Sequence, residues 1–275
     1  TKKFKYLRYY EPNKPFIQFM NTPESGPLMT ELRKAEKTGN LSTEAQQLVA
    51  PVKPKESLFD LEKDPFEFND LAKNPDYQSK LIELRKAHNQ WMYNILDVGL
   101  IPEAIIRDWE KSKNKPIYQI LREDSSFYND LMLTSSSNNE KFLQNCLKHP
   151  NEAIRYQAAI GLYNLKFRVS DKTISLLQRT LREDQVLNVS IAAGRALLKF
   201  GIKTKNILKK IAEGLAADNE WTRLQSALVA DDFNYAIQNL ESESKNLVKN
   251  DPNKYVVRVL NHALNALNGT NNKVR

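Results

Sequence analysis

Residues 189–200 read VSIAAGRALLKF, and this stretch decides the architecture of most of the chain. Its apolar side chains, from Val189 to Phe200, fall at offsets of 0, 3, 4, 7, 8 and 11 residues. That spacing lines one face of an α-helix, because residues three and four apart lie above one another on the helix surface. Three of these residues are alanines, whose small side chains let a neighbouring helix approach closely. The stretch therefore predicts a helix that packs against other helices.

The same pattern recurs along the second half of the chain. Short junctions at Pro150, Asp184, Asp218 and Asp251 are spaced 34, 34 and 33 residues apart. An amphipathic segment follows each junction, and a second apolar segment precedes it. One helix pair cannot bury its apolar face alone, so paired helices at a fixed period of this length predict a stack of pairs, an α-helical solenoid.

Two of these segments resemble the HEAT repeat family. Residues 154–159 (IRYQAA) and 257–263 (VRVLNHA) are similar to the second helix of that repeat, in which a hydrophobic–arginine pair precedes small side chains. Residues 188–193 (NVSIAA) keep the small residues in register but have Asn-Val in place of the pair. The period is shorter than is usual in the family, so the resemblance implies HEAT-like repeats over residues 138–275.

The first third of the chain is mixed in character. Aromatic and basic residues between Phe4 and Tyr10 predict a strand, and prolines between residues 12 and 27 predict a long extended loop. Short helices over 27–37 and 42–49 and a second strand over 56–61 follow, and then a strong helix from Asp76 to about Leu96. We therefore predict a mainly α fold, in which a small α+β layer precedes the helical repeats.

Composition argues against several classes of enzyme. The chain of 275 residues has eight glycines, too far apart to form a phosphate-binding loop, and three histidines, too dispersed for a local zinc motif. Its single cysteine, Cys146, excludes an internal disulfide. Cys146 and His149 are three residues apart at a predicted helix end with no third partner, which favours a buried structural cysteine over a catalytic thiol. No apolar run is long enough to span a membrane.

Residues 56–72 read ESLFDLEKDPFEFNDLA, and this segment resembles the C-terminal signature of the sulfatases, E-L-Y-D-L-x-x-D-P-x-E-x-x-N-L-A. Residues 5–12 (KYLRYYEP) are similar to the strand that precedes it. Residues 97–103 (DVGLIPE) are similar to the exit from that subdomain in bacterial heparan-sulfatase-like members. The resemblance covers about residues 1–105 and implies a C-terminal subdomain of the sulfatase fold. We expect residues 106–137 to form a linker with short helices, ahead of the repeats at 138–275.

The resemblance also implies what this chain lacks. The sulfatase nucleophile lies in Cys/Ser-x-Pro-x-Arg, is oxidised to formylglycine and sits beside a calcium ion. Cys146-Leu147-Lys148-His149-Pro150 does not match that motif, and Ser25-Gly26-Pro27-Leu28-Met29 lacks the arginine. We therefore expect no catalytic residue, metal ligand or cofactor in this chain, and no activity from it alone. An upstream catalytic domain would be its partner and would carry the calcium and the formylglycine, in a periplasmic or secreted protein.

Two candidate contact regions follow. The proline-rich loop from Glu11 to Pro27 is placed by the resemblance near the missing active site, where Lys14 and Gln18 could contact sulfate or sugar hydroxyls. The net charge of +8 has a tight cluster at Lys203, Lys205, Lys209 and Lys210, a candidate polyanion patch for a sulfated glycan if it is not simply a solvated face.

Two other functions stay open at this point. The first is a non-catalytic helical-repeat module that binds a protein partner, for which we expect no dependence of affinity on salt. The second, less favoured, is a nucleic-acid-binding repeat protein, for which affinity would fall steeply with salt. In the sulfatase interpretation a sulfated glycan, if bound, should outcompete DNA of equal charge.

Overall fold

The computed structural model of the protein describes residues 1–274, apart from the side chain of Asn21. It is mainly helical, with a small α+β part, as the sequence predicts. The elements in chain order are β1 (Phe4–Arg8), α1 (Asn21–Glu24), α2 (Pro27–Thr38), α3 (Thr43–Val49), β2 (Glu56–Asp60), α4 (Gln78–Ile95), α5 (Glu103–Lys113), α6 (Ile117–Glu123), α7 (Tyr128–Ser136), α8 (Glu140–Cys146), α9 (Glu152–Asn164), α10 (Asp171–Glu183), α11 (Leu187–Lys199), α12 (Lys205–Leu215), α13 (Glu220–Asp232), α14 (Asn234–Asn239), α15 (Glu241–Asn250) and α16 (Lys254–Asn268).

The chain folds as two compact units that divide between Ile95 and Leu96. In the first unit, β1 and β2 pair antiparallel, with Tyr6 opposite Leu58, and α4 packs beside β1. Leu58, Leu81 and Leu84 form a small core between the sheet and α4. Both predicted strands, the two short helices and the long helix are confirmed, to within a few residues at their ends.

The second unit is built from helix pairs that stack in sequence order. The first helices, α8, α10, α12 and α15, each pack on the second helix of their own pair, α9, α11, α13 and α16. Along the chain, α9 packs on α11, α11 on α13 and α13 on α16. A continuous apolar core runs through the stack from Leu143 to Leu264. The predicted junctions lie at the turns within the pairs. The apolar segment before the Asp251 junction forms two helices, α14 and α15, with Leu240 between them.

An asparagine–arginine motif repeats at two of these turns. Asn151 and Asn219 cap α9 and α13, and each is followed by glutamate and, four residues on, by Arg155 or Arg223. Both arginines donate to two carbonyl oxygens of their own turn and make a double hydrogen bond to an aspartate of the following pair, Asp184 or Asp251. The motif fixes the turn and links one pair to the next. In the fourth pair Arg258 lies five residues after the Asn253 cap, one residue further than Arg155 and Arg223 lie from their caps.

Residues 97–113 lie against the second helices. The Gln157 side chain of α9 donates to the carbonyl oxygen of Leu100, and Asn219, the cap of α13, donates to the carbonyl oxygen of Ala104 at 3.2 Å. Because α9 and α13 flank α11, this segment bridges across the middle of the stack. The apolar residues Leu100, Ile101, Ala104, Ile105 and Ile106 are all buried. Further along, Tyr128 and Leu131 of α7 are also fully buried, so the stretch that we expected as a linker packs into the second unit.

We expect Arg223→Ala to destabilise the second unit by about 3–5 kcal/mol, because it leaves the Asp251 carboxylate, whose side chain is 0% exposed, without its cation. The loss should appear as a lower urea midpoint in far-ultraviolet circular dichroism. Arg179→Ala is the control, since its ion pair with Glu183 is 66% and 54% exposed and should change stability by no more than about 1 kcal/mol. Equal midpoints for the two variants would contradict the linking role of Arg223.

We also expect Gly214→Ala to destabilise this unit by about 1–3 kcal/mol, through overpacking between α12 and its neighbours. A Cβ at this position would lie 2.0 Å from Ser226 Oγ and 2.6 Å from Ile191 Cδ1. Gly194→Ala is the matched control within a helix, because its Cβ would lie 3.3 Å from the flexible end of Leu181 and 3.5 Å from Ile207. A thermal melt should show a clear loss for Gly214→Ala alone.

Candidate functional site

The first unit contains a cavity of about 540 Å³ with largely aromatic walls. One wall is the end of β1 with Tyr9, a second is α3 with Leu48, and a third is the turn after β2 with Phe66 and Phe68. Concave, mainly apolar sites with a few polar groups are the usual form of a binding site. The full lining consists of Leu7, Tyr9, Phe16, Ser42, Glu44, Ala45, Gln47, Leu48, Phe59, Phe66, Glu67 and Phe68.

The turn that carries two of these rings is organised by Asp64. The Asp64 carboxylate accepts hydrogen bonds from the backbone amides of Phe68, at 3.1 Å, and Asn69, at 2.7 Å. Glu67, between the two phenylalanines, has a φ of 60°, in the left-handed region that side chains rarely adopt. The rings of Phe66 and Phe68 consequently stack on one another, with centroids 5.9 Å apart, and Phe66 is 76% exposed. Asp-Pro and Glu of the sulfatase-like signature thus build a turn that presents aromatic surface.

Charged groups stand at the margin of the cavity. Glu67 forms an ion pair with Lys5 at 2.8 Å, and the backbone of Glu44 together with Ser42 lowers the pKa of the Glu44 carboxyl. Lys53 Nζ lies 5.7 Å from the centroid of the Tyr9 ring and 5.9 Å from that of Phe16, and burial lowers the pKa of Lys53. The cavity therefore offers aromatic faces and two carboxylates, with the ammonium groups of Lys5 and Lys53 at its margin. These groups suit the binding of an apolar side chain or the C–H face of a sugar ring.

The predicted contact residues of the proline-rich loop do not line this cavity themselves. Phe16, which lies between Lys14 and Gln18 in the sequence, forms part of the wall. Gln18 is exposed, and Lys14 is partly buried with its backbone amide bonded to Glu11. The loop thus reaches the cavity through an aromatic residue that sequence reasoning did not select, and the roles of Lys14 and Gln18 stay predictions.

The four lysines of the predicted polyanion patch divide into two sets. Lys209 and Lys210 lie on α12, and both pair with Glu213, at 3.9 and 2.8 Å. Lys203 lies in the loop before α12, with Nζ 5.6 Å from the centroid of the Tyr235 ring, and Lys205 is the first residue of the helix. The patch therefore consists of two lysines that pair with Glu213, and of Lys203 and Lys205 at the start of α12.

The sulfatase nucleophile and calcium do not fit the residues of this chain. Cys146 is partly buried, which raises the pKa of its thiol, and its sulfur accepts a hydrogen bond from Thr134 at 3.4 Å. The His149 ring instead accepts a hydrogen bond from the backbone amide of Asn151, at 3.0 Å. Within residues 1–274 no three His, Cys, Asp or Glu side chains are grouped so that they could hold a metal ion, and we assign no chemical step through either group. No helix in the same range combines the length and apolar character needed to cross a bilayer.

Comparison with known proteins identifies one relationship. The chain is similar to an ulvan-active sulfatase of Formosa agariphila, with 41% identity over 118 residues. The match covers 42% of this chain but 20% of the relative, so it spans about a fifth of the length of that curated protein. No family model and no solved structure matches the chain. This chain contains a sulfatase-related region.

We expect Asp64→Ala to loosen the aromatic turn and to destabilise the first unit by about 1 kcal/mol, since two backbone amides lose their acceptor. The exposed rings should then become more mobile, which aromatic side-chain NMR relaxation of Phe66 and Phe68 would detect. Glu62→Gln is the control, because the Glu62 side chain pairs with Lys3 in an ion pair that is exposed on both sides. Unchanged ring dynamics in Asp64→Ala would show that the turn does not depend on this carboxylate.

Proposed function

We propose that this chain is the C-terminal part of a sulfatase-like hydrolase that cleaves sulfate esters or sulfamates of a sulfated polysaccharide in a periplasmic or secreted setting. The observation that carries the proposal is the 41% identity to an ulvan-active sulfatase, together with the sulfatase-like signature at residues 56–72. The reaction itself belongs to an upstream catalytic domain with formylglycine and calcium. The role of this chain is to complete that domain and to contact its substrate.

The surface of the first unit supports the role in completing a larger domain. Twelve of the eighteen large apolar side chains that are exposed within residues 1–274 lie in the first 95 residues, among them Phe66, Met20 and Leu28. The core of this unit is small, and a two-stranded sheet is marginally stable without further packing. Exposed apolar surface rimmed by charged groups is typical of an interface. We propose that the catalytic domain covers the aromatic cavity and packs on Phe16, Leu48, Phe66 and Phe68.

The helical unit would contribute substrate or partner contacts as a set of HEAT-like repeats. The stacking of its pairs and the arginine–aspartate links between them support the repeat interpretation. A non-catalytic module that binds proteins along its second helices is the alternative, and residues 97–108 already cover part of that surface. For this reason we favour the sulfatase interpretation.

The first test is the intact mass and N-terminal sequence of the native product in its source cells. We expect a product several hundred residues longer that yields an upstream Cys/Ser-x-Pro-x-Arg peptide carrying formylglycine. A native product that begins near Thr1 would contradict the enzyme proposal and would favour the helical interaction module instead.

The second test separates an interface from a substrate site in the cavity. Phe66→Ser should change the stability of this chain by itself by less than about 0.5 kcal/mol, because the ring is largely exposed. In the intact protein the same change should lower stability by about 2 kcal/mol, as expected for a buried aromatic side chain that is lost from an interface. Phe142→Ser, at a 37% exposed ring in the second unit, is the control. A raised KM with unchanged stability in the intact protein would instead assign the cavity to substrate binding.

A further inference from the structure

Two loops of the helical unit meet at one edge of the stack. The loop after α9 (residues 165–170) and the loop after α11 (residues 200–204) follow the ends of helices that pack side by side. Lys199, at the end of α11, donates from Nζ to the carbonyl oxygen of Leu165 at 2.9 Å and also to that of Tyr163. This lysine joins the two loops and satisfies carbonyl groups at the end of α9.

Positive charge is concentrated at this edge. Residues 165–171 and 199–205 contain five cations and one carboxylate, that of Asp171, and the Glu140 carboxylate of α8 accepts hydrogen bonds from Ser170. We call the five cations the basic edge: Lys166, Arg168, Lys199, Lys203 and Lys205. Burial lowers the pKa of the Lys199 ammonium, and the positive charges of Arg195 and Lys166 lower it further, so like charges are held close together here.

Helix stability explains the position of Lys199 but not the positions of the other four cations. Cations are favourable near the C-terminus of a helix, which is the position of Lys199 in α11. Lys205 is the first residue of α12, where the helix dipole opposes a cation, and Thr204 provides no side-chain cap there. Lys166, Arg168, Lys203 and Lys205 are all exposed, and none has a carboxylate within 4.0 Å in the described part of the chain. Lys209 and Lys210 differ, because both pair with Glu213.

An aromatic ring lies within the charged loop. Phe167, between Lys166 and Arg168, is 51% exposed. An exposed ring flanked by cations can stack on the C–H face of a sugar while the cations bind its sulfate groups. Single-stranded nucleic acid is bound by stacking successive bases on several aromatic side chains, and these two loops have one largely exposed ring.

We propose that the basic edge of the second unit binds a sulfated polysaccharide. The choice of a sulfated polymer over other polyanions rests on the proposed function. Sulfate groups pair with Lys166, Arg168 and Lys203, and a sugar ring stacks on Phe167. The edge thereby holds a long substrate chain on the protein between successive hydrolysis steps.

The test measures binding of heparin to the full chain as a function of salt. The variant Lys166→Gln/Arg168→Gln/Lys203→Gln should bind at least about tenfold more weakly, with a slope of log affinity against log salt that is smaller by about 3. The control Lys111→Gln/Lys113→Gln/Lys249→Gln removes the same charge from exposed positions elsewhere and should bind within about twofold of the parent. Equal weakening in both variants would mean attraction by net charge alone and would overturn the proposal.

Two further probes decide the chemistry of the ligand. Chemically desulfated heparin should not bind, and duplex DNA of equal charge should compete poorly. Phe167→Ala should weaken binding of heparin and leave binding of inorganic polyphosphate unchanged, because polyphosphate has no ring to stack, whereas Phe142→Ala should change neither. If DNA competes as effectively as heparin, the ligand of the basic edge is a nucleic acid and not a glycan. These assays require no hydrolysis, so their result is independent of the native mass. Loss of binding specificity would overturn the basic-edge proposal alone, and a native product that begins near Thr1 would overturn the proposed function alone.

Discussion

The second unit depends on the burial of one helix. All eleven residues of α11 from Asn188 to Leu198 are buried, polar ones included. A helix that is hidden on every side needs neighbours on every side, and it has α10 and α12 in the first layer and α9 and α13 in the second. Its polar groups are satisfied within that shell: the Asn188 side chain bonds to Gln225, and Arg195 pairs with Asp232 while its guanidinium lies 4.2 Å from the centroid of the Tyr163 ring. Remove a neighbouring pair, and these groups and the apolar surface around them lose their partners together.

Much of this unit could be predicted from the sequence because its signals are periodic. Alanines and branched residues at helical spacing identified the second helices, and the regular junctions gave their order. The N-E-x-x-R motif at residues 151–155 and 219–223 could have identified the links between pairs, since the two copies are 68 residues apart, twice the period of 34. The position of residues 97–113 could not be predicted in this way. Their apolar residues indicate a buried helix, but the partner surface is chosen by shape and by single contacts such as Gln157 to Leu100.

In the first unit, the turn of the candidate site could be predicted from the sequence, but the cavity could not. The Asp-Pro pair of the DLEKDP segment is a turn signal that can be recognised in the sequence, and Asp64 caps this turn. The cavity needs four segments far apart in sequence to meet, and its rings come from positions that a sequence pattern treats as ordinary apolar residues. Phe66 and Phe68 are spaced like residues on one face of a strand, but they lie in a turn, with the left-handed Glu67 between them. The local sequence signal for the cavity was the density of aromatic residues around the sulfatase-like signature.

The two units also differ in how complete they are as folded bodies, and this difference bears on function. Exposed apolar side chains crowd the first unit, whereas the second buries a continuous core and keeps unpaired charge at its basic edge. Burial of exposed apolar surface in a permanent interface is favourable. Cations in exposed loops are suited to a ligand that binds reversibly. The proposed function would use both kinds of surface: an apolar interface with the proposed catalytic domain and a reversible basic contact for the proposed polysaccharide.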